Sequence, residues 1–154
     1  MNQIMDSLSL EELTVLRALQ ANCERLNKEI AFELGISQSK LSKILQSLQM
    51  RGYIRGKVVI FDSLKLGFHA LGFLQVEFES RAAMKKAEDG LMIRQEVQEM
   101  YATNKGFELF IKARARTTGE LIGLKHDIGS MEGLRSIHVI PAMLTLKETT
   151  ALPI

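Results

Sequence analysis

The chain has 154 residues, enough for one or two small domains, and is 46% hydrophobic and 25% charged, which excludes a fibrous or wholly disordered protein. Its 20 basic and 18 acidic residues leave a net charge of only +2, a total that by itself singles out no polyanionic partner. No run of 18 or more apolar residues suggests a membrane span, the opening MNQIMDSLSLEEL lacks the basic-then-apolar form of a secretory leader, and the single Cys23 leaves no disulfide framework or multi-cysteine zinc site, so the reducing cytoplasm is the expected compartment.

Along the chain, Ser9-Leu-Glu-Glu12 has the S-x-x-E form of a capping box and predicts a helix start. Leu10, Leu13, Leu16 and Leu19, with Val15 and Ala18, continue it as an apolar stripe at helical spacing to about Cys23. Asn27 is the expected cap of a second, short helix carrying Ile30, Ala31 and Leu34, which Gly35 ends. Ser37 then caps a third helix, with Leu41, Ile44, Leu45 and Leu48 as its buried stripe and Gly52 as its stop. Helix, short helix, glycine turn and helix in this order form a helix-turn-helix.

The third helix carries Ser39, Lys43, Gln46 and Met50 opposite its apolar stripe, flanked by Ser42 and Ser47. That face offers hydroxyls, amides and amines with no acid, which suits a helix lying in the major groove of double-stranded DNA. There Lys43 can meet guanine O6/N7 or a phosphate, and Gln46 can pair with adenine N6/N7. Ser37, Gln38, Ser39 and Lys40 lie near the helix start, where side chains and backbone N–H groups reach phosphates. After Gly52, two short β-prone runs flank Arg55-Gly-Lys57 and read as a basic hairpin or wing, with Arg51, Arg55 and Lys57 against the DNA backbone. Resolved along the chain, the charge supports this reading. Residues 34–61 hold five basic groups and no acid, whereas residues 61–154 hold twelve of each sign.

A linker is expected at residues 61–66. Beyond it the pattern reads as a strand over 68–78, a helix from 79 to about 91, a strand over 97–102, a turn at 103–106 and an alternating strand over 107–116. A helix capped by Thr117 or Thr118 and carrying Leu121, Ile122, Leu124 and Ile128 follows, and a last strand runs over 137–147. The order β-α-β-β-α-β is the ferredoxin-like split βαβ pattern. The fold class is therefore α+β: a winged helix-turn-helix over residues 1–60 joined to a βαββαβ domain over 67–154.

Several segments in this order carry a family likeness: LNKEIA at 26–31, LGIS at 34–37, LQMRGYIRG at 48–56, LG at 66–67, VQEMY at 97–101, FELFIKARAR at 107–116 and GLRS at 133–136. The chain resembles, over essentially its whole length, the Lrp/AsnC or feast/famine family of transcription regulators. The resemblance implies residues 37–46 as the recognition helix. It also implies a C-terminal domain that forms homodimers, often assembled into octamers, and that binds small effectors, usually amino acids, between dimers. The effector-contacting turn then falls on Asn104, Lys105, Gly106, Phe107 and Glu108. Here the chain departs from the family's glycine, acid, tyrosine, aspartate order: Lys105 stands in the glycine place and the glycine is displaced to Gly106.

His69, His126 and His138 lie on separate elements without metal-ligand spacing, and Cys23 has no partner thiol. Met84, Met92, Met100, Met131 and Met143 read as core or interface filler. No P-loop, G-x-G-x-x-G or H-E-x-x-H occurs and no acid-base or nucleophile pair is visible, so neither an enzyme nor a cofactor is expected. The expected function is sequence-specific DNA binding modulated by an amino acid or related effector. The alternative is a small-molecule sensing and assembly protein whose DNA binding is weak or architectural.

Overall fold

The computed structural model describes residues 7–154, and the chain divides into two compact units. One comprises residues up to Val59 together with Thr149–Ile154, and the other is Ile60–Glu148. The boundary after Val59 lies one residue from the expected end of the first domain. The last six residues, expected in the second domain, belong instead to the first: the Gln20 side-chain amide donates to the Leu152 carbonyl at 2.7 Å and accepts from the Leu152 N–H at 2.9 Å.

The first unit holds α1 (Leu10–Ala21), α2 (Asn27–Glu33) and α3 (Gln38–Met50). The expected capping box closes α1: Ser9 Oγ accepts from the Glu12 N–H and the Glu12 carboxylate accepts from the Ser9 N–H. The cap of α2 differs from expectation. Leu26, not Asn27, has the extended N-cap backbone, and the Glu29 carboxylate takes up its N–H at 3.2 Å in place of a capping side chain. Val15, Ala18, Ile30, Ala31, Leu41 and Leu48 form the core, with Ile36 and Ile54 packed against it from outside the helices.

The hairpin expected around Arg55-Gly-Lys57 is absent as a strand pair, since residues 53–61 form no strand. The two arms have been committed elsewhere. Ile54 packs on the helical core, and the Lys57 ammonium donates to the Cys23 carbonyl at 3.0 Å. Val58, Val59, Ile60 and Phe61 are left exposed, and a lone two-stranded ribbon is marginal in water.

The second unit is a four-stranded antiparallel sheet in the order β2-β3-β1-β4, built from β1 (Ala70–Phe78), β2 (Val97–Ala102), β3 (Glu108–Ala115) and β4 (Leu134–Pro141). The helices α4 (Arg81–Leu91) and α5 (Thr118–Gly129) complete the βαββαβ order. Thr117 is the cap of α5, its hydroxyl accepting from the Glu120 N–H. Leu109, Ile111, Ala113 and Ala115 face inward along β3 as their alternation requires, and join Leu74, Val76, Phe78, Leu91, Leu121, Leu124 and Ile128 in the core. The last strand lies earlier than the expected 137–147. Gly133, at φ +73°, turns the chain so that pairing starts at Leu134 opposite Phe78, and Pro141, which has no N–H to donate, ends it.

One face of this sheet packs α4 and α5. The other carries Phe73 stacked on Phe110 at a centroid distance of 5.8 Å, half-exposed Tyr101 and Ile140, and a charged cluster. In that cluster Glu148 accepts from Lys112 and from Arg114 Nη2 at 2.9 Å, and Glu99 accepts from Lys112 at 3.1 Å and from the Tyr101 hydroxyl at 2.7 Å. The Lys112 hydrogen bond holds the Glu148 carboxyl below the usual carboxylate range.

Candidate nucleic-acid interface

The turn between α2 and α3 is built by backbone hydrogen bonds that only a left-handed residue permits. Gly35 takes φ +63°, which lets its N–H reach the Phe32 carbonyl at 3.2 Å and the Ile36 N–H reach Ala31 at 3.0 Å, a Schellman ending. Ile36 then drops into the core, and Ser37 opens α3 with its hydroxyl accepting from the Lys40 N–H at 3.2 Å. At the far end Gly52, at φ +77°, repeats the arrangement with Gly52 N–H to Gln49 and Tyr53 N–H to Leu48. Leu41 and Leu48 are fully buried, so the opposite face of α3 is fixed toward solvent.

That face exposes Gln38, Ser39, Lys40, Ser42, Lys43, Gln46 and Met50. Ser37, before the helix, is exposed as well. These residues therefore share one surface, and no acid of α3 interrupts it. Acids reach it from α1. Glu11 Oε1 meets the Lys40 ammonium at 2.5 Å, and Glu12 Oε1 meets Arg51 Nη1 at 2.5 Å. Arg51, half-buried, also lies with its guanidinium 4.8 Å from the centroid of the Tyr53 ring. The backbone hydrogen bond from Ser9, followed by those of the Ser9 hydroxyl and Arg51, holds the Glu12 carboxyl below its usual range. Arg55 is exposed, whereas Lys57 is tied to Cys23. Of the ten residues read from the sequence as DNA-facing, nine are exposed; among them Ser37 caps α3 through the Lys40 N–H, Lys40 pairs with Glu11 and Lys57 donates to the Cys23 carbonyl. Arg51 and Lys57 each serve an internal contact.

The turn over residues 103–107 joins β2 to β3. The Thr103 N–H donates to the Glu108 carbonyl at 3.0 Å, the Lys105 N–H donates to the Thr103 hydroxyl at 3.2 Å, and Gly106 takes φ +62°. The Thr103 hydroxyl donates to Glu108 Oε1 at 2.8 Å, so this carboxylate already has a partner within the turn. Asn104, Lys105, Gly106 and Phe107 are exposed.

A family model described as "Winged helix-turn-helix DNA-binding" matches residues 12–55. The HTH-type transcriptional regulator FL11 of Pyrococcus abyssi is 28% identical over 149 residues, spanning 96% of this chain and 98% of the relative. The regulatory protein AsnC of Haemophilus influenzae is 27% identical, spanning 86% of this chain and 93% of the relative. The chain is thus similar over nearly its whole length to transcriptional regulators of the AsnC type. Its fold agrees with that of a transcriptional regulator of Neisseria meningitidis solved as an L-Met complex, at TM-score 0.88 and 19% identity over 96% of this chain and 97% of the other.

The matched relatives are named as transcriptional regulators. Among the described residues no three His, Cys, Asp or Glu side chains gather as a metal site, and no helix is long and apolar enough to cross a membrane. Sequence reasoning missed one feature of this interface. Glu11 and Glu12 signalled only a helix start, and nothing in their spacing places them against α3. Met50, 76% exposed, lies on the same face as Lys43 and Gln46, as its place in the helical period implies.

Proposed function

We propose that α3 is the recognition helix of a sequence-specific regulator and that its exposed, acid-free face carries the specificity. Lys43 meets guanine O6/N7 and Gln46 meets adenine N6/N7, while Ser37, Gln38, Ser39, Lys40 and Ser42 position the helix on phosphates. Arg55 and Lys57 contact the flanking backbone, and Arg51 acts chiefly by holding α1 to the end of α3. The observation that carries this reading is the presence of seven exposed polar or cationic residues and one methionine on one surface, locked outward by Leu41 and Leu48. The test is a salt titration on a duplex recovered by in vitro selection and on a random duplex of equal length. A specificity ratio of about 10³ or more is expected; a ratio near one would favour the architectural reading.

The same proposal has the protein act as a homodimer, which places two recognition helices about 34 Å apart on a pseudo-palindromic site. The other sheet face, with Phe73 stacked on Phe110 and with exposed Tyr101 and Ile140, supports it, because aromatic side chains are enriched at interfaces. Phe110→Asp is expected to convert the dimer to a monomer in sedimentation velocity, and an unchanged mass would count against this face. Assembly to an octamer follows the family resemblance. The effector is read as an amino acid or related molecule at Asn104–Glu108, in keeping with the L-Met in the Neisseria meningitidis relative. Because Thr103 already occupies the Glu108 carboxylate, an effector's ammonium has to share or displace that hydroxyl.

A further inference from the structure

The two acids in the first turn of α1 hold two cations at the ends of α3, and they hold them differently. Glu12 is half-buried. Its Oε2 accepts from the Ser9 N–H at 2.8 Å while its Oε1 accepts from Arg51 at 2.5 Å, so one carboxylate caps α1 and fastens α3 to it. Glu11 does neither of these things. Among the described residues its Oε1 meets the Lys40 ammonium, at 2.5 Å, and the side chains are 40% and 53% exposed. Lys40 is the third residue of α3, whose N-terminal turn favours an anion through its N–H groups and its dipole. A carboxylate oxygen within hydrogen-bond distance of that ammonium occupies the position a DNA phosphate oxygen would take.

We propose that Glu11 is an internal competitor of the DNA backbone: a phosphate must displace its carboxylate from Lys40, so Glu11 lowers affinity for all DNA without reading sequence. The proposal rests on the reading of α3 as the recognition helix. An exposed ion pair is weak and exchanges readily, so the displacement is feasible. It has two costs of the same sign, the lost pair and an unpaired carboxylate left among phosphates. Neither cost depends on base identity.

The test is Glu11→Gln in the full chain, with binding followed by fluorescence anisotropy on selected and random duplexes over a series of KCl concentrations. Kd is expected to fall about two- to fivefold on both duplexes at low salt, leaving their ratio unchanged. The slope of log K against log salt should steepen by about 0.9, because the displaced carboxylate no longer offsets one cation at the phosphates. On a Lys40→Ala background the gain from Glu11→Gln should shrink by at least half. Glu12→Gln is the contrasting variant and should lower the melting temperature, whereas Glu11→Gln leaves it nearly unchanged. Unchanged affinity and slope in Glu11→Gln, or a gain that persists undiminished without Lys40, overturns the proposal alone. Failure of the unmodified chain to bind either duplex overturns both the proposal and the reading of α3.

Discussion

Leu48→Ala is expected to cost the N-terminal unit about 2–5 kcal/mol, the range for a buried leucine truncated in a core that relaxes only partly. Leu48 is fully buried and packs in the cluster formed by Val15, Ala18, Ile30, Ala31 and Leu41. A unit of this size has little stability in reserve, since small domains bury a smaller fraction of their surface. The second unit has its own core, centred on Leu74, Phe78, Ile111 and Ile128, and should not feel the change. Hydrogen exchange read by mass spectrometry separates the two: protection across α1, α2 and α3 should fall by about thirtyfold or more, while β1 and β3 keep theirs. Equal acceleration in both units, or a loss below about 1 kcal/mol, would contradict this packing. Leu48→Met keeps the volume and should cost less than about 1.5 kcal/mol. The functional consequence is direct, because the stripe that this residue belongs to is what holds the opposite face of α3 toward solvent.

The legible parts of the chain were those whose physics is local. The Ser9–Glu12 box, the Ser37 cap and the glycines at positions 35 and 52 specify their geometry within four or five residues, and the structure places all of them as their sequence implies. The alternation Leu109, Ile111, Ala113, Ala115 fixes which face of β3 is buried, because a one-residue slip would put Lys112 and Arg114 in the core. What escaped depends on partners distant in sequence. Residues 53–61 have the composition of a hairpin, but composition does not reveal that Ile54 goes to the core and Lys57 to the Cys23 carbonyl. Similarly, a basic count over residues 34–61 treats Lys40, Lys43, Arg51, Arg55 and Lys57 as equal. The structure divides them into exposed Lys43 and Arg55, surface-paired Lys40, and the internally engaged Arg51 and Lys57.

That division gives the second large effect its form. Lys43→Ala and Gln46→Ala are each expected to cost about 1–3 kcal/mol on the selected duplex and little on a random one, since each removes a contact to base edges. Both side chains are exposed on the face opposite Leu41 and Leu48, so truncating them leaves the core of the unit untouched. Arg55→Ala should instead weaken both duplexes by a similar factor and flatten the salt slope by about 0.9, the signature of one lost phosphate contact. Arg51→Ala should differ from all three. Arg51 pairs with Glu12 at 2.5 Å and lies against the Tyr53 ring, so its loss should appear first as reduced stability, with affinity falling in step. Binding measured alongside thermal melts for the four variants separates base reading, backbone contact and packing in one experiment. Equal losses on both duplexes for Lys43→Ala and Gln46→Ala would remove the assignment of α3 as the reading element, whatever the total affinity of the protein for DNA.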